Sequence, residues 1–138
     1  MTRELLENPI ATLCEMAERE AARRIVLPWP PSSLSGHAKG HWRAKSGDTA
    51  KHRLWALHAT KAAGLSVSAT GDIRIHIRFV PPDRRGDRTN FPNRVKPAID
   101  GIAAALGVND ARFLPSYEFA EPERPGRVEV TLLPVREA

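Results

Sequence analysis

Acid is in short supply in this chain. Its 138 residues carry 16 aspartates and glutamates against 21 lysines and arginines, a net charge of +5, with a sequence pI near 10.0. That balance suits a nucleic acid or another polyanion as partner. Cysteine is nearly absent: Cys14 stands alone, so no internal disulfide can form and no second thiol completes a metal site. Its expected role is buried filler, and a reducing cytoplasm is the expected compartment. No apolar run approaches the roughly 20 residues that a bilayer-spanning helix requires, so no membrane association is expected. The opening MTRELLENPIATLCEMAERE is too broken by charge to read as a secretory signal. Internal repeats and low-complexity segments are also missing.

What remains is the composition of one soluble globular domain, 41% hydrophobic and 27% charged. Leu6, Ile10, Leu13 and Ala17 recur at helical spacing, which predicts an amphipathic helix from about Pro9 to Arg23. We read residues 1–24 as a helical extension and 25–138 as the main domain. Ile25 to Leu27 predict a short strand that the prolines from Pro28 close. The stretch SLSGHAKGHWRAKSGD reads as a surface loop, with Lys39, His41, Arg43 and Lys45 able to meet phosphate. A helix is expected from Thr49 to Ala63, with Leu54, His58, Ala62 and Trp55 on one face, and Gly64 placed to stop it.

In GDIRIHIRFVPP, Ile73, Ile75, Ile77 and Phe79 alternate strictly with Arg74, His76 and Arg78. Period two with one apolar and one basic face predicts a strand, with His76 read as a surface histidine. Val95, Ile99, Ile102 and Leu106 then predict a helix ended by Gly107, with Pro97 in its first turn or kinking it. Phe113–Phe119 and residues 127–133 are the last expected strands, with EPERPG turning between them. The order predicts a compact α+β domain: a small mixed sheet with helices packed on one face.

Between the second strand and third helix lies RRGDRTNFPNR, which sets Asp87 among Arg84, Arg85, Arg88 and Arg94. Two readings stand at this point. Asp87 pairs with a flanking arginine in a solvated turn, or the arginines hold a polyanion and the carboxylate holds a cation against it. Lys96 and Asp100 have the spacing of a helical i,i+4 ion pair, and Asp110 follows the helix-ending glycine at an ordinary turn position.

PWPPSS, HWRAK and RRGDRTNFPNRVKPAIDGIAAALGVNDARF together resemble the successive signatures of RusA-like endodeoxyribonucleases, the phage-type Holliday junction resolvases. The resemblance runs from about Ile25 to Leu133. It implies the RusA-like form of the α+β fold, and a metal-dependent endonuclease of DNA recombination and repair that resolves four-way junctions. It also implies a homodimer and Mg²⁺ or Mn²⁺ as cofactor. Matched without gaps, the family's first loop aspartate falls on Asp87, its asparagine on Asn90, its helix tail on Asp100–Gly101–Ile102 and the second of its acidic pair on Asp110. Thr89 and Asn109 stand where the family has further aspartates. The family's catalytic lysine has no ungapped match: Lys96 is the nearest candidate and Asn93 occupies the other position. A register aligned on Lys96 instead sets Asn90 and Pro92 in place of both loop aspartates.

The implied catalytic set is therefore Asp87, Asp110 and Lys96, with Asp87, Asp110, Thr89 and Asn109 around the metal. Mg²⁺ needs hard oxygen ligands, often only one or two of them carboxylates. Phosphate contacts are expected from Arg43, Lys45, Arg74, Arg78, Arg84, Arg85, Arg88 and Arg94. The departures at Thr89 and Asn109 imply an alternative: a RusA-fold DNA-binding protein with weakened or lost catalysis.

Overall fold

The computed structural model describes residues 12–16, 23–34 and 42–133, and over 42–44 the main chain only. Its elements run β1 (Arg24–Pro28), α1 (Trp42–Ala62), β2 (Ile73–Val80), α2 (Phe91–Leu106), β3 (Phe113–Phe119) and β4 (Arg127–Leu132). The four strands form one mixed sheet in the order β1-β4-β2-β3. β4 runs antiparallel to both its neighbours, and β3 runs parallel to β2. The expected α+β domain is what the chain forms. The last two strands do not pair with each other, because β2 lies between them.

Alternation in the strands decides which side is covered. Ile73, Ile75, Ile77 and Phe79 join Ile25, Leu27, Val128, Val130 and Leu132 on the inner face. Phe91, Val95, Ala98 and Ile102 of α2 pack onto that face with Ala56 of α1. Burying a side chain of this size contributes roughly 1.5–3 kcal/mol, so this layer dominates the stability. The opposite face carries Arg24, Arg74, His76, Arg78 and Glu118 and stays at least partly open to solvent.

α2 begins directly on Phe91, with Pro92 in its first turn, where the missing N–H costs nothing. Pro97 lies within the helix. It removes the hydrogen bond to the carbonyl of Asn93, a residue exposed to solvent. Gly107 ends the helix at φ 69°, a left-handed conformation for which glycine pays no steric cost. β2, α2 and β3 thus make one parallel β–α–β unit, and the loops entering and leaving α2 lie at opposite ends of its strands.

Three expectations need correction. α1 starts at Trp42, not Thr49. Ser46 and Gly47 are carried inside it on exposed positions, where glycine costs only about 1 kcal/mol. α1 is also turned the other way. Leu54, His58 and Ala62 face solvent, while His52, Ala56 and Thr60 are buried. Thr60 is admitted to the core because its Oγ1 donates to the Ala56 carbonyl at 2.7 Å. Cys14 is exposed, not buried filler. Of the helix expected from Pro9 to Arg23, residues 12–16 are helical and Arg23 is in a turn; the rest lies outside the described residues, as do Lys39 and His41.

Candidate nucleic-acid and metal site

The chemistry-bearing residues gather around α2 in two groups. The first is the arginine loop. Asp87 precedes a short 3-10 turn, Arg88–Asn90, with extended backbone (φ −97°, ψ 119°). Its Oδ1 accepts from Thr89 N–H at 3.1 Å and from Thr89 Oγ1 at 2.8 Å. Asp83 caps the same loop, accepting from Arg85 N–H at 2.9 Å. Gly86, at φ 90°, permits the reversal between them. The result is an open concavity of about 590 Å³ lined by Asp83, Arg84, Arg85, Asp87, Arg88 and Phe91, with prolines at its edges.

Its cations differ in how they are held. Arg84 reaches Glu121 at 2.7 Å, but both side chains are three-quarters exposed, so the pair contributes at most about 1 kcal/mol. Arg85 and Arg88 make no ion pair among the described residues, and both are exposed. Arg94 lies over the Phe91 ring at 5.7 Å. Its Nε is buried with no hydrogen-bond partner among the described residues, and burial pulls the guanidinium below the ordinary arginine range.

The second group lies on the next turns. Lys96 Nζ donates to Asp100 Oδ1 at 2.9 Å and also to Asp110 Oδ2. The helical i,i+4 spacing brings Asp100 there, and the turn after Gly107 brings Asp110. Asp110 holds the Lys96 ammonium above its usual range, with Asp100 adding to the effect. Lys96 in turn holds the Asp110 carboxyl below its usual range. Lys96 and Asp110 line a groove of about 170 Å³ between α2 and β3, with Ile75, Ile77, Val95, Phe113, Pro115 and Tyr117. Pro92 lines this groove and Phe91 the first one, so both hollows reach the first turn of α2.

The two ends of α2 are built alike. Asn109 Oδ1 accepts from Ala111 N–H at 2.9 Å, as Asp87 accepts from Thr89. Asn109 spends its side-chain oxygen on the main chain, which leaves Asp110 as the hard ligand on that side. The structure therefore pairs Asp110 with Asp100, a residue expected in a helical ion pair and in the resembled family's helix tail but not among the metal ligands, and Asp87 with Thr89. Among the described residues, no three His, Cys, Asp or Glu side chains converge as a metal-holding group. Asp100 and Asp110 nonetheless converge on one cation, the ammonium of Lys96. Two carboxylates with water and substrate oxygens meet the minimum for Mg²⁺, so a divalent ion fits this position once Lys96 moves aside.

Of the other expected phosphate ligands, Lys45 is exposed on α1, and the side chain of Arg43 lies outside the described residues. Arg74 and Arg78 lie on the open sheet face, where Arg78 is engaged by Glu118 at 2.7 Å and Glu129 at 3.3 Å. His76 bridges Ser116 (2.7 Å from Nδ1) and Glu118 (3.1 Å from Nε2). This Ser–His–Glu row has the order of a nucleophilic triad. It stands on a flat sheet, however, with β2 paired on both sides. The row is an ion network.

The architecture so far defines a compact α+β domain with a cationic loop at the start of one β–α–β helix and a carboxylate pair, Asp100 and Asp110, meeting Lys96 farther along it. No known family's sequence profile matches the chain. It is similar to an uncharacterized protein of Xylella fastidiosa (strain Temecula1 / ATCC 700964), 37% identical over 125 residues that span 86% of this chain and 81% of that one. The two chains belong to one family. Among the described residues no helix is long and apolar enough to cross a membrane.

Proposed function

We propose that this protein is a metal-dependent, structure-selective DNA endonuclease that hydrolyses phosphodiesters at four-way junctions. The observation that carries the reading is the convergence of Asp100 and Asp110 on one cation position beside an open arginine loop. In this reading Asp100 and Asp110 hold Mg²⁺ or Mn²⁺, while Asp87, which does not converge with them among the described residues, orders the arginine loop through Thr89. A bound dication neutralises phosphate charge and lowers the pKa of a water. Lys96, displaced from its carboxylates, donates to the scissile phosphate, where charge develops in the transition state. Arg85, Arg88 and Arg94 bind flanking phosphates, so affinity falls steeply with salt. A junction has near two-fold symmetry, and a C2 homodimer presenting two such sites matches its paired incisions.

The test is incubation of the folded protein with a mobile four-way junction and Mg²⁺ or Mn²⁺. Symmetric paired nicks are expected. A folded protein that never cleaves, at any metal concentration, overturns the proposal.

A second reading is favoured by Thr89 and Asn109. Both stand where the resembled family has aspartates, and both spend their side chains on local hydrogen bonds. That reading is a junction-binding protein that has lost catalysis. It expects tight, salt-sensitive junction binding without incision, and no loss of binding in Asp87→Asn.

A further inference from the structure

The outer face of α1 belongs to neither hollow described above. Leu54 is 53% exposed and Trp55 37%. Around them stand Lys51, Arg53, His58 and Lys61, all exposed. Lys51 Nζ lies 4.9 Å from the Trp55 ring centroid, so a cation and an aromatic face are presented together. The sequence holds no acid from Thr49 to Gly71. Asp48, the last acid before that stretch, is already held by Ser33 Oγ. Leu54 and Trp55 form an apolar centre inside a cationic rim.

Charge decides what can cover this face. A second copy docked on it about a two-fold axis would bring Lys51, Arg53 and Lys61 against their own counterparts, and like charges across an interface oppose association. A DNA duplex would satisfy the rim through its phosphates but leave Leu54 and Trp55 against a charged backbone. An unpaired strand satisfies both, since its phosphates meet the lysines while its splayed bases stack on the aromatic ring.

We propose that the outer face of α1 binds a single nucleic-acid strand, with Trp55 as the stacking platform and Lys51 and Lys61 as phosphate ligands. The inference rests on the DNA reading of this protein and adds to it the unpaired strand at a branch point as the element held away from the cleavage site.

The test uses the full chain and a fluorescein-labelled oligo-dT at low salt. Binding is expected, and Lys51→Glu/Lys61→Glu is expected to weaken it at least about 10-fold. Trp55→Ala is expected to weaken it about 5-fold or more. Trp55→Phe should keep most of the affinity while abolishing the tryptophan quenching that oligo-dT causes in the parent. Oligo-dT affinity unchanged in both the Lys51/Lys61 and Trp55→Ala variants overturns the proposal. So does failure of the parent to bind oligo-dT, or self-association through this face that Leu54→Glu abolishes. Four-way-junction cleavage is measured alongside. Cleavage with no strand binding sinks this inference alone, and strand binding through α1 with no cleavage sinks the nuclease reading alone.

Discussion

The α-carbon of Gly101 faces the main-chain carbonyl of Arg53 so closely that a β-carbon added there would lie 2.1 Å from that oxygen and 3.2 Å from Ala56 Cβ. The obstacle is backbone, not the end of a pliant side chain, so α1 and α2 can meet only if residue 101 has no side chain. Gly101→Ala is expected to force the helices apart and to destabilise the fold by at least about 2 kcal/mol, read as a lower urea midpoint. Ala at Gly107, where the space is open but φ is left-handed, should cost only about 1 kcal/mol.

Lys96 occupies the position that a divalent ion would take, so its removal should act in two directions. Lys96→Met is expected to tighten Mn²⁺ binding measured by calorimetry, because the competing ammonium is gone. The same change should slow junction cleavage by about 100-fold or more, because a donor to the transition state is lost. Asp110→Asn should weaken Mn²⁺ binding and slow cleavage together.

The Lys96–Asp110 pair also fixes a pH window. Asp110 is held below the ordinary value of 3.8, so whatever stability it lends is complete above that value and is lost as pH falls through its lowered folded pKa. Lys96 is held above 10.5, so its share is present below that value and is lost as pH rises through the raised one. Carbon-detected NMR titration of the Asp110 carboxyl should show a midpoint below 3.8 that moves back up in Lys96→Met.

His52 is only 6% exposed, and its burial lowers the imidazole pKa below 6.5, with Asp48 opposing the shift and Lys51 adding to it. A base depressed in the folded state leaves the unfolded chain holding more protons in mild acid, so stability should rise with pH through that range and fall as pH drops below about 6.5. Urea midpoints between pH 5 and pH 7.5 check this. His52→Gln should lower stability overall and flatten the pH dependence.

Thr89→Asp tests the departure from the resembled family. It replaces a hydroxyl that donates to Asp87 with a second carboxylate beside it. If a missing ligand limits cleavage, the rate should rise about 10-fold and Mn²⁺ should bind more tightly. An inactive protein that stays inactive locates the limit elsewhere.

Much of this architecture is legible in the sequence, and its failures have physical causes. The bounds of β3 read correctly, and those of β2 and β4 to within a residue; in β2 the apolar and basic residues alternate from Ile73 to Phe79, whereas β3 is exposed along nearly its whole length. Gly107 marked the end of α2 because a left-handed residue there favours glycine. α1 misled on both start and orientation. Its first turns carry loop-like Ser46 and Gly47, and its packed side uses His52 and Thr60 while its wet side shows Leu54 and Trp55. A reading by hydrophobicity inverts such a helix. At the site, local spacing revealed Lys96 with Asp100, but the addition of Asp110 required knowing how the chain turns after Gly107. Which strands adjoin was hidden altogether, since no residue pattern announces that β4 inserts between β1 and β2.

That insertion governs the order in which a ribosome can release a finished sheet. β4 is the last of the four strands to be synthesised, yet it is the one that joins Ile25 to Val130 on one side and Ile77 to Val130 on the other. Until Arg127–Leu132 has left the exit tunnel, β1 has no neighbour, and β2, α2 and β3 can assemble only as an isolated half. A released chain truncated before Arg127 should therefore be an easy protease target at its N-terminal half, and restoring Arg127–Leu132 should make it resistant in a single step.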